Sequence, residues 1–519
     1  MCDNYGMTKG TRLFEASKLE LTKESLKFGL FVKNEAYVGK TADDFKPRMI
    51  WAAEELILGK FAWAFHQISK WITERMDGRN TNWYYPNGST PDEIGAAVVK
   101  MFRNPYVYES DVSNWDGSLH KEILEGCEKT ILSLVDGMPS EFDFLLQHWT
   151  YHYGKASGFE KSTGRRWFIQ FLTENSRASG VLWTGSFNTP INATVVEWAT
   201  QKPIYDGMAL GDDNGYATRE EVDEKLTEQR YEGIGMKVKI IRRHSIDHFT
   251  FCSGRTWAVN GMRRWGNNPF RVLCKLGLNH GNHNPKFFKR LLYGTAKGML
   301  CTAGHIPIVG AILRAICDSA KERGLKAMVD NRWENPHRPQ GGIVLYPDVD
   351  TYIQFEQLYG WPMEYVMAVE EVIENTMTID SFPCELVGDI FVDGFATETG
   401  IDNPEKCYKT SSDDVYTLAV QDSLYRPTGD REYDDAVIYG PISEEVAKLS
   451  GSKYLLPRLY AAMRLGISEA KLDARAWHHP FLHMLFTAIA HINLKAGIHC
   501  HQAYNHTVMS SPAKTMVCA

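Results

Sequence analysis

Acidic side chains at two distant points of the chain have the types and spacing that suit divalent cations. They lie in the segments Asp111-Val-Ser-Asn-Trp-Asp116 and Gly211-Asp212-Asp213. Between them, Ser179-Gly180-Val-Leu-Trp-Thr184-Gly-Ser-Phe-Asn188 offers polar groups that can contact a ribose. Carboxylates that hold metal ions, combined with groups that position a sugar, suit nucleotidyl transfer, because metals and positioning supply most of the catalysis in such a reaction.

Each segment alone has an ordinary structural explanation. Gly-Asp-Asp is a common hairpin turn, and Asp111 and Asp116 could be solvated loop carboxylates. Ser179-Gly180 could be a loop or a helix cap, and Asn188 could cap a helix. All three segments in this order, each with fitting neighbours, favour a catalytic assembly over coincidence.

The neighbouring residues predict the elements that must position the acidic groups. Residues 105–111 are rich in aromatic and β-branched types, which indicates a strand with Asp111 at its carboxyl end. Residues 204–210 and 214–218 predict two short strands with the Asp pair at the hairpin tip. If the hairpin packs beside the Asp111 strand, the carboxylates converge and repel one another unless cations bind. Mg²⁺ suits such a cluster because it prefers oxygen ligands.

The middle segment predicts a loop that leads into a helix. Ser179-Gly180 is flexible, and Pro190 is expected near the helix start, where its missing N–H costs little. Thr184 and Asn188 are four residues apart and can face one ligand. With Asp116 they form a donor and acceptor set that suits the 2′-hydroxyl of a ribose.

The order of these segments resembles motifs A, B and C of viral RNA-dependent RNA polymerases, with nodavirus-like or tombusvirus-like positive-strand RNA viruses the best match. Lys33-Asn-Glu35, followed by Lys40 and Lys46-Pro-Arg48, resembles motif F, the basic fingertip over the incoming nucleotide. Residues 232–239 resemble motif D, and residues 249–253 resemble motif E, a hairpin at the palm–thumb boundary.

The resemblance implies an α+β fold, a right-hand polymerase with fingers, a palm made of an antiparallel sheet backed by helices, and a helical thumb. The expected divisions are fingers with motif F at 1–105, palm motif A at 106–125, a fingers insertion at 126–176, palm motifs B, C, D and E at 177–258, and the thumb with a C-terminal extension at 259–519.

The resemblance also implies roles for individual residues. Two Mg²⁺ (or Mn²⁺) ions would be held by Asp111, Asp212 and Asp213. The lysine of motif D, proposed in the family to protonate the pyrophosphate leaving group, would be Lys237 or Lys239, and spacing does not decide between them; Lys237 is carried as the catalytic candidate. The nucleotide-binding set is Lys33, Lys40, Lys46, Arg48, Asp116, Ser179, Gly180, Thr184 and Asn188.

Composition is compatible with this function. The chain has 519 residues, 44% of them hydrophobic, which is enough for a large core with several subdomains. A net charge of −7 is not that of a protein wrapped in nucleic acid, but an RNA channel needs only local positive charge. The ten cysteines are scattered without a close CxxC pair, which favours a reducing, cytosolic compartment over a disulfide framework or a zinc ribbon.

The expected partners are RNA template and product and nucleoside triphosphates. Only 32 residues precede Lys33, so either the N-terminal fingers are reduced or another replicase segment or chain completes them. No secretory signal or membrane span is recognisable, and residues 306–317 predict a buried helix. The protein is therefore expected in the host cytoplasm, in a viral replication complex whose membrane attachment lies on a partner or a missing segment.

The second half of the chain predicts helices at 291–324 and 443–466, with loops at 331–342 and 393–435. Its C-terminus is rich in histidine, and core-edge histidines, RNA contacts and a zinc site are the alternatives. The predicted function is RNA-templated RNA synthesis. The alternative is a non-catalytic RNA-binding or scaffold subunit of a replication complex. A reverse transcriptase is less expected, because Leu210-Gly211 precede the Asp pair where that class has an aromatic residue.

Overall fold

The computed structural model describes residues 7–33, 49–135, 137–138, 140–148, 150, 152–160, 163–173, 177–273, 276–277, 285–328, 344–382, 394–395 and 397–398. These residues fall into two compact units, one that ends at Cys252 and one that begins at Ser253. Helices and mainly antiparallel sheets make up the described chain, so the predicted α+β class is confirmed.

The first unit combines two β-sheets with the helices that pack against them. Its strands are β1 Lys27–Val32, β2 Met49–Ala53, β3 Trp83–Tyr84, β4 Tyr106–Val112, β5 His152–Glu160, β6 Arg165–Thr173, β7 Asp206–Leu210, β8 Asp213–Thr218 and β9 Val238–Arg243. Its helices are α1 Met7–Ser17, α2 Glu55–Arg75, α3 Pro91–Met101, α4 Trp115–Ser118, α5 Lys121–Leu124, α6 Thr130–Leu132, α7 Glu141–Gln147, α8 Thr184–Thr200 and α9 Glu224–Gly233, with a π-helical turn at Glu125–Lys129.

The first sheet has the strand order β2-β1-β5-β6. β1 pairs antiparallel with β2 and parallel with β5, and β5 and β6 form a long hairpin. The segments before β4 and after α7 therefore pair with each other as strands of one sheet.

The second sheet has the strand order β3-β7-β8-β4-β9. It contains the predicted strand that ends near Asp111 and the predicted hairpin, β7–β8, which pairs antiparallel with β4. Both predictions are confirmed. The sheet departs from a purely antiparallel one only at its edge, where β3 joins β7 in parallel.

Side chains on successive residues of these strands enter two different cores, as the alternation of a β-strand requires. Met208 of β7, Val107 of β4 and Ala217 of β8 pack with Phe249 on one face. The residues that follow or precede them, Ala209, Tyr108 and Tyr216, pack with Phe187 of α8 on the other face. Since both faces are covered, a shift of register by one residue would exchange the two sets and is excluded by packing.

Helix α8 differs from the sequence prediction at its start. It begins at Thr184, and Pro190 lies inside it, where a helix start near Pro190 was expected. Asn188 is therefore an interior residue, so the alternative that it caps the helix is wrong. Burial explains the difference: Phe187, Ile191 and Val196 are all 1% exposed or less, and this packing offsets the hydrogen bond that proline cannot donate.

The second unit is a hairpin followed by helices around one apolar core. Its elements are β10 Gly254–Val259, β11 Met262–Asn267, α10 Pro269–Leu273, α11 Pro285–Ala303, α12 Val309–Glu322, α13 Val349–Tyr359 and α14 Met363–Thr376. Helices α11 and α12 confirm the helices expected at 291–324, and buried Ile312, Leu313 and Ile316 confirm the buried character of residues 306–317.

Several predictions fall on other parts of the chain. The helix at 443–466, the loop at 331–342 and the histidine-rich C-terminus lie outside the described residues, as does nearly all of 393–435. Among the helices that the structure describes, none has the length and apolar character needed to span a membrane.

Candidate active site

The acidic hairpin tip is a two-residue turn between β7 and β8. Leu210 pairs with Asp213 across the hairpin, so Gly211 and Asp212 form the turn itself. Gly211 has a φ of 67°, in the left-handed region that glycine adopts without strain. β8 in turn pairs with β4, and Ser110 of β4 lies opposite Asn214 of β8. Asp111 follows Ser110, and Asp213 precedes Asn214, so both aspartates lie at the same end of the paired strands. The fold thus brings Asp111, Asp212 and Asp213 to one corner of the sheet.

The three carboxylates of this tip influence one another electrostatically. Partial burial and then the charge of Asp212 raise the pKa of Asp111, while Lys239 opposes the rise. Partial burial and Asp212 also raise the pKa of Asp213 to about 6, although a hydrogen bond with Cys252 lowers it. In both residues, desolvation and repulsion between like charges outweigh the groups that lower the pKa.

These acidic groups suit a divalent cation that a substrate helps to hold. Within the described residues, no three His, Cys, Asp or Glu side chains are grouped closely enough to hold a metal ion by themselves. Mg²⁺, however, commonly uses one or two carboxylates together with substrate phosphates. Oxygen donors that repel one another at a hairpin tip fit that mode of binding.

A buried polar network, which the sequence analysis did not predict, holds the backbone of this tip. The amide of Asn192 in α8 donates to the carbonyl oxygens of Gly211 and Asp212, at 3.0 and 2.9 Å. Thr189, one turn earlier, accepts from the N–H of Gly211 at 3.0 Å. Asn214 donates to the side-chain oxygen of Asn192 at 2.9 Å. Side chains of α8 therefore hold the backbone of the turn, and these bonds do not involve its carboxylates.

The predicted ribose-contacting residues Asp116 and Asn188 do meet. The amide nitrogen of Asn188 donates to a carboxylate oxygen of Asp116 at 3.0 Å. Asn188 is 4% exposed, whereas Asp116 is half-buried. The pair presents a carboxylate acceptor and an amide donor side by side, which is the combination that a sugar hydroxyl can join.

Two further buried residues, Arg177 and Glu128, extend the hydrogen-bond network of this pair towards the protein interior. Nε of Arg177 donates to the side-chain oxygen of Asn188 at 3.1 Å. The guanidinium of Arg177 also forms an ion pair with Glu128, a residue with no exposed surface. The backbone N–H of Arg177 donates to the carbonyl oxygen of Asp116 at 2.9 Å.

The loop that precedes α8 is attached to strand β2. The hydroxyl of Ser179 donates to the carbonyl oxygen of Met49 at 2.9 Å, and the N–H of Trp51 donates to the carbonyl of Ser179 at 2.8 Å. Gly180 has a φ of 98°, and a β-carbon there would lie 2.9 Å from the carbonyl oxygen of Trp51. Thr184 closes the loop by donating to Ala178 at 2.9 Å. Of the predicted nucleotide-binding residues, these three shape the loop.

The predicted basic residues are placed only in part. Lys33 is half-buried just beyond β1, whereas Lys40, Lys46 and Arg48 lie outside the described residues. Of the two motif D lysines, Lys239 stands opposite Asp111 in the β4–β9 pairing, and Lys237 is exposed just before β9. Lys239 is thus nearer in register to the acidic tip.

A second buried ion pair lies behind the tip. Arg243 in β9 donates to Glu109 in β4 at 2.8 Å, and the hydroxyl of Thr250 donates to the same carboxylate oxygen at 3.1 Å. Burial raises the pKa of Glu109, and these donors oppose the rise. The ion pair joins β9 to the strand that carries Asp111, and Thr250 joins the segment after β9 to the same strand.

Sequence spacing contained a signal for one of the missed residues. Asn192 follows Asn188 by four positions and so lies on the same side of α8. Arg177 stands two residues before Ser179, but nothing in the sequence marks its partner. Glu128 comes from the segment between β4 and β5, and only the tertiary fold brings it to Arg177.

Comparisons with known proteins agree with the motifs. The family model described as RNA dependent RNA polymerase matches residues 30–292, just over half of the 519 residues. The chain belongs to this RNA-dependent RNA polymerase family. Comparison with curated proteins gives no match.

Two solved structures that align with this chain are polymerases of one virus. The RNA-dependent RNA polymerase of a human picorbirnavirus aligns at 14% identity with a TM-score of 0.44, over 56% of this chain and 54% of that one. The insertion loop deletion mutant of that polymerase aligns at 14% identity with a TM-score of 0.43, over 56% of each chain. The chain therefore spans little more than half the length of these structures.

Proposed function

We propose that this chain synthesises RNA on an RNA template and so replicates the genome of a positive-strand RNA virus of the nodavirus-like or tombusvirus-like type. The observation that carries the proposal is the acidic tip, where the pairing of β4 with the β7–β8 hairpin brings Asp111, Asp212 and Asp213 to one corner of the sheet. Helix α8 links this tip to the Asp116–Asn188 pair, because it carries both Asn192, which bonds to the turn, and Asn188. Membership of the polymerase family supports it.

In this proposal the chain is a right-hand polymerase with the divisions predicted from the sequence. The five-stranded sheet is the palm, since it carries the acidic tip and packs against α8. The sheet formed by β2, β1, β5 and β6 belongs to the fingers. The second unit, with its helices α11 to α14, belongs to the thumb.

Asp111 and Asp212 would hold two Mg²⁺ or Mn²⁺ ions, with Asp213 assisting. When bound, such ions lower the pKa of the attacking hydroxyl and neutralise the phosphates. The residues of the chain do the remaining work. Asp116 and Asn188 hold the ribose of the incoming nucleotide, and the fixed turn under Asp212 aims its carboxylate at the site.

The reaction forms a bond between the RNA 3′-hydroxyl oxygen and the α-phosphate of a nucleoside triphosphate, and pyrophosphate leaves. Lys33, Lys40, Lys46 and Arg48 would hold the triphosphate, and arginine can do so through two parallel hydrogen bonds. Lys237 or Lys239 would give a proton to the leaving pyrophosphate. The position of Lys239 opposite Asp111 favours the latter.

We further propose that the protein works in the host cytoplasm, within a replication complex that reaches the membrane through a partner or another segment. RNA template, RNA product and nucleoside triphosphates are its substrates and ligands.

The test is extension of a labelled RNA by the purified chain with Mg²⁺ or Mn²⁺. Asp212→Ala should abolish extension, because the variant loses a carboxylate at the tip of the turn. Asp206→Asn is the matched control, since Asp206 lies in the same hairpin but bonds to Lys100 and Asn104 instead; it should retain activity. Undiminished extension by Asp212→Ala contradicts the assignment. A wild-type chain that binds RNA and never extends it favours the non-catalytic RNA-binding alternative.

A further inference from the structure

A buried arginine stands directly behind the residues proposed to hold the ribose. The side chains of Arg177 and Glu128 are 3% and 0% exposed, so their ion pair is shielded from water. Arg177 also reaches both members of the ribose-contacting pair, Asn188 through its side chain and Asp116 through its backbone N–H. A buried charge needs a paired charge and good hydrogen bonds, and Glu128 and Asn188 supply them.

The chemistry of the three side chains fixes how Asn188 is turned. Guanidinium nitrogens can only donate, so the atom of Asn188 that faces Arg177 must be its oxygen. An ionised carboxylate can only accept, so the atom that faces Asp116 must be the amide nitrogen. Arg177 and Asp116 therefore require the same orientation, in which the amide nitrogen of Asn188 faces Asp116, the other residue proposed to hold the ribose.

The arginine fork is suited to this task in a way that lysine is not. Arg177 donates from Nε to Asn188 and from a terminal nitrogen to Glu128 at the same time. Lysine carries its donors on one nitrogen and lacks the planar fork, so it can pair with Glu128 without holding Asn188 in place.

We propose that Arg177, held by Glu128, is a positioning residue that sets the selectivity of this polymerase for ribose over deoxyribose. The inference rests on the function proposed above. Glu128 lies in the π-helical turn between α5 and α6, so a segment without direct contact to the substrate takes part in sugar selection. Asn188 and Asp116 contact the sugar, and Arg177 acts through them.

A purely structural role for the ion pair predicts a different result. If Arg177 and Glu128 only stabilised the fold, their loss would lower the active fraction and reduce the use of every nucleotide equally. If they orient Asn188, their loss weakens binding of the 2′-hydroxyl alone. A site built to bond a hydroxyl discriminates against the analogue that lacks it, so the ratio of the two substrates reports on this bond.

The experiment measures kcat/KM of the full chain for a nucleoside triphosphate and for its 2′-deoxy analogue, in single-nucleotide extension of a labelled RNA. Arg177→Lys should lower the ratio about fivefold to tenfold, as expected for one hydrogen bond, with the loss confined to the ribonucleotide. The double variant Arg177→Met with Glu128→Leu removes both charges, which avoids leaving either one buried and unpaired, and should behave alike. Arg243→Lys makes the same change in the other buried pair and should leave the ratio unaltered.

A lowered ratio in both Arg177 variants, combined with an unchanged ratio in Arg243→Lys, supports the inference. An unchanged ratio in the Arg177 variants of a chain that extends RNA overturns it and leaves the proposed function standing. An equal fall in Arg243→Lys also overturns it, because general loosening of the palm then explains the effect. A wild-type chain that extends RNA with neither nucleotide removes the proposed function and this inference with it.

Discussion

The acidic tip and the proposed ribose-contacting pair each include a residue in or just after strand β4, Asp111 and Asp116. The two regions differ in how many protein partners their side chains have. Asp116 and Asn188 are bonded to each other, and behind them lie Arg177 and Glu128, buried and paired. In the described part of the chain, the carboxylates of Asp111 and Asp212 make no hydrogen bond or ion pair, and mutual repulsion contributes to raising the pKa of Asp111.

In the function proposed above, this difference corresponds to two separate tasks. Selection of a sugar needs donors and acceptors whose positions are fixed before the substrate arrives. Phosphoryl transfer instead needs positive charge that arrives with cations, which the carboxylates of Asp111 and Asp212 would bind. The backbone of the tip is not loose, however, because Asn192 and Thr189 hold Gly211 and Asp212. The turn thus has a fixed backbone and carries the carboxylate of Asp212, which would gain partners when cations bind.

The largest expected contrast is in stability. Glu128→Ala leaves the guanidinium of Arg177 buried without its counter-charge and should lower the free energy of unfolding by about 3–5 kcal/mol. Asp111→Asn, the matched loss of a carboxylate at the tip, should change it by less than about 0.5 kcal/mol or raise it, because a like charge is removed. Urea unfolding of both variants without divalent cations measures this. Equal destabilisation by the two would contradict the view that only one region is internally complete.

A smaller loss of stability is expected when Asn192 is replaced. Its bonds to Gly211 and Asp212, called the clamp here, join the tip to α8. Asn192→Leu keeps the approximate size of the side chain but removes two bonds to the partly exposed turn, whose carbonyl oxygens can bond to water instead. It also removes one partner of buried Asn214, at a cost of about 1–3 kcal/mol. RNA extension should fall about tenfold to a hundredfold, while RNA binding stays near the wild-type level, since the clamp acts on the tip alone.

The control for this variant is Thr194→Val on the same helix. Thr194 is exposed and donates to the carbonyl oxygen of Pro190 within α8, so its loss should leave extension and stability close to wild type. If Asn192→Leu extends RNA as well as Thr194→Val does, the turn keeps its geometry without the clamp and the rigid-turn argument fails.

Sequence patterns were sufficient for the elements whose signals are local. The β-rich run before Asp111 and the Gly-Asp-Asp turn predicted β4 and the β7–β8 hairpin, because alternation and turn chemistry act over a few residues. The sequence also predicted that Asp116, Thr184 and Asn188 form one donor and acceptor set; Asp116 and Asn188 are bonded, whereas Thr184 bonds to Ala178.

Long-range burial decided the features that sequence did not predict. Helix α8 begins six residues before Pro190 because packing of Phe187 outweighs the local preference of proline for a helix start. Glu128 and Arg177 are distant in sequence and look like ordinary surface charges until the fold buries both. No periodic pattern in the sequence indicates that two such charged residues form a buried pair.

The smallest effect, and the most direct probe of the comparison, is stabilisation by cations. Mg²⁺ at about ten times its dissociation constant should stabilise the wild-type chain by about 1.4 kcal/mol, because a ligand that binds only the folded state shifts unfolding by mass action. Asp111→Asn and Asp212→Asn should lose this shift, whereas Arg177→Lys should keep it, since the ribose-contacting region needs no cation. Thermal unfolding with Mg²⁺, against NaCl of equal ionic strength to remove screening effects, measures it. If the shift survives in Asp111→Asn, Mg²⁺ does not bind through the acidic tip. If it disappears in Arg177→Lys, cation binding also depends on the ribose-contacting region, and the contrast between the two regions fails.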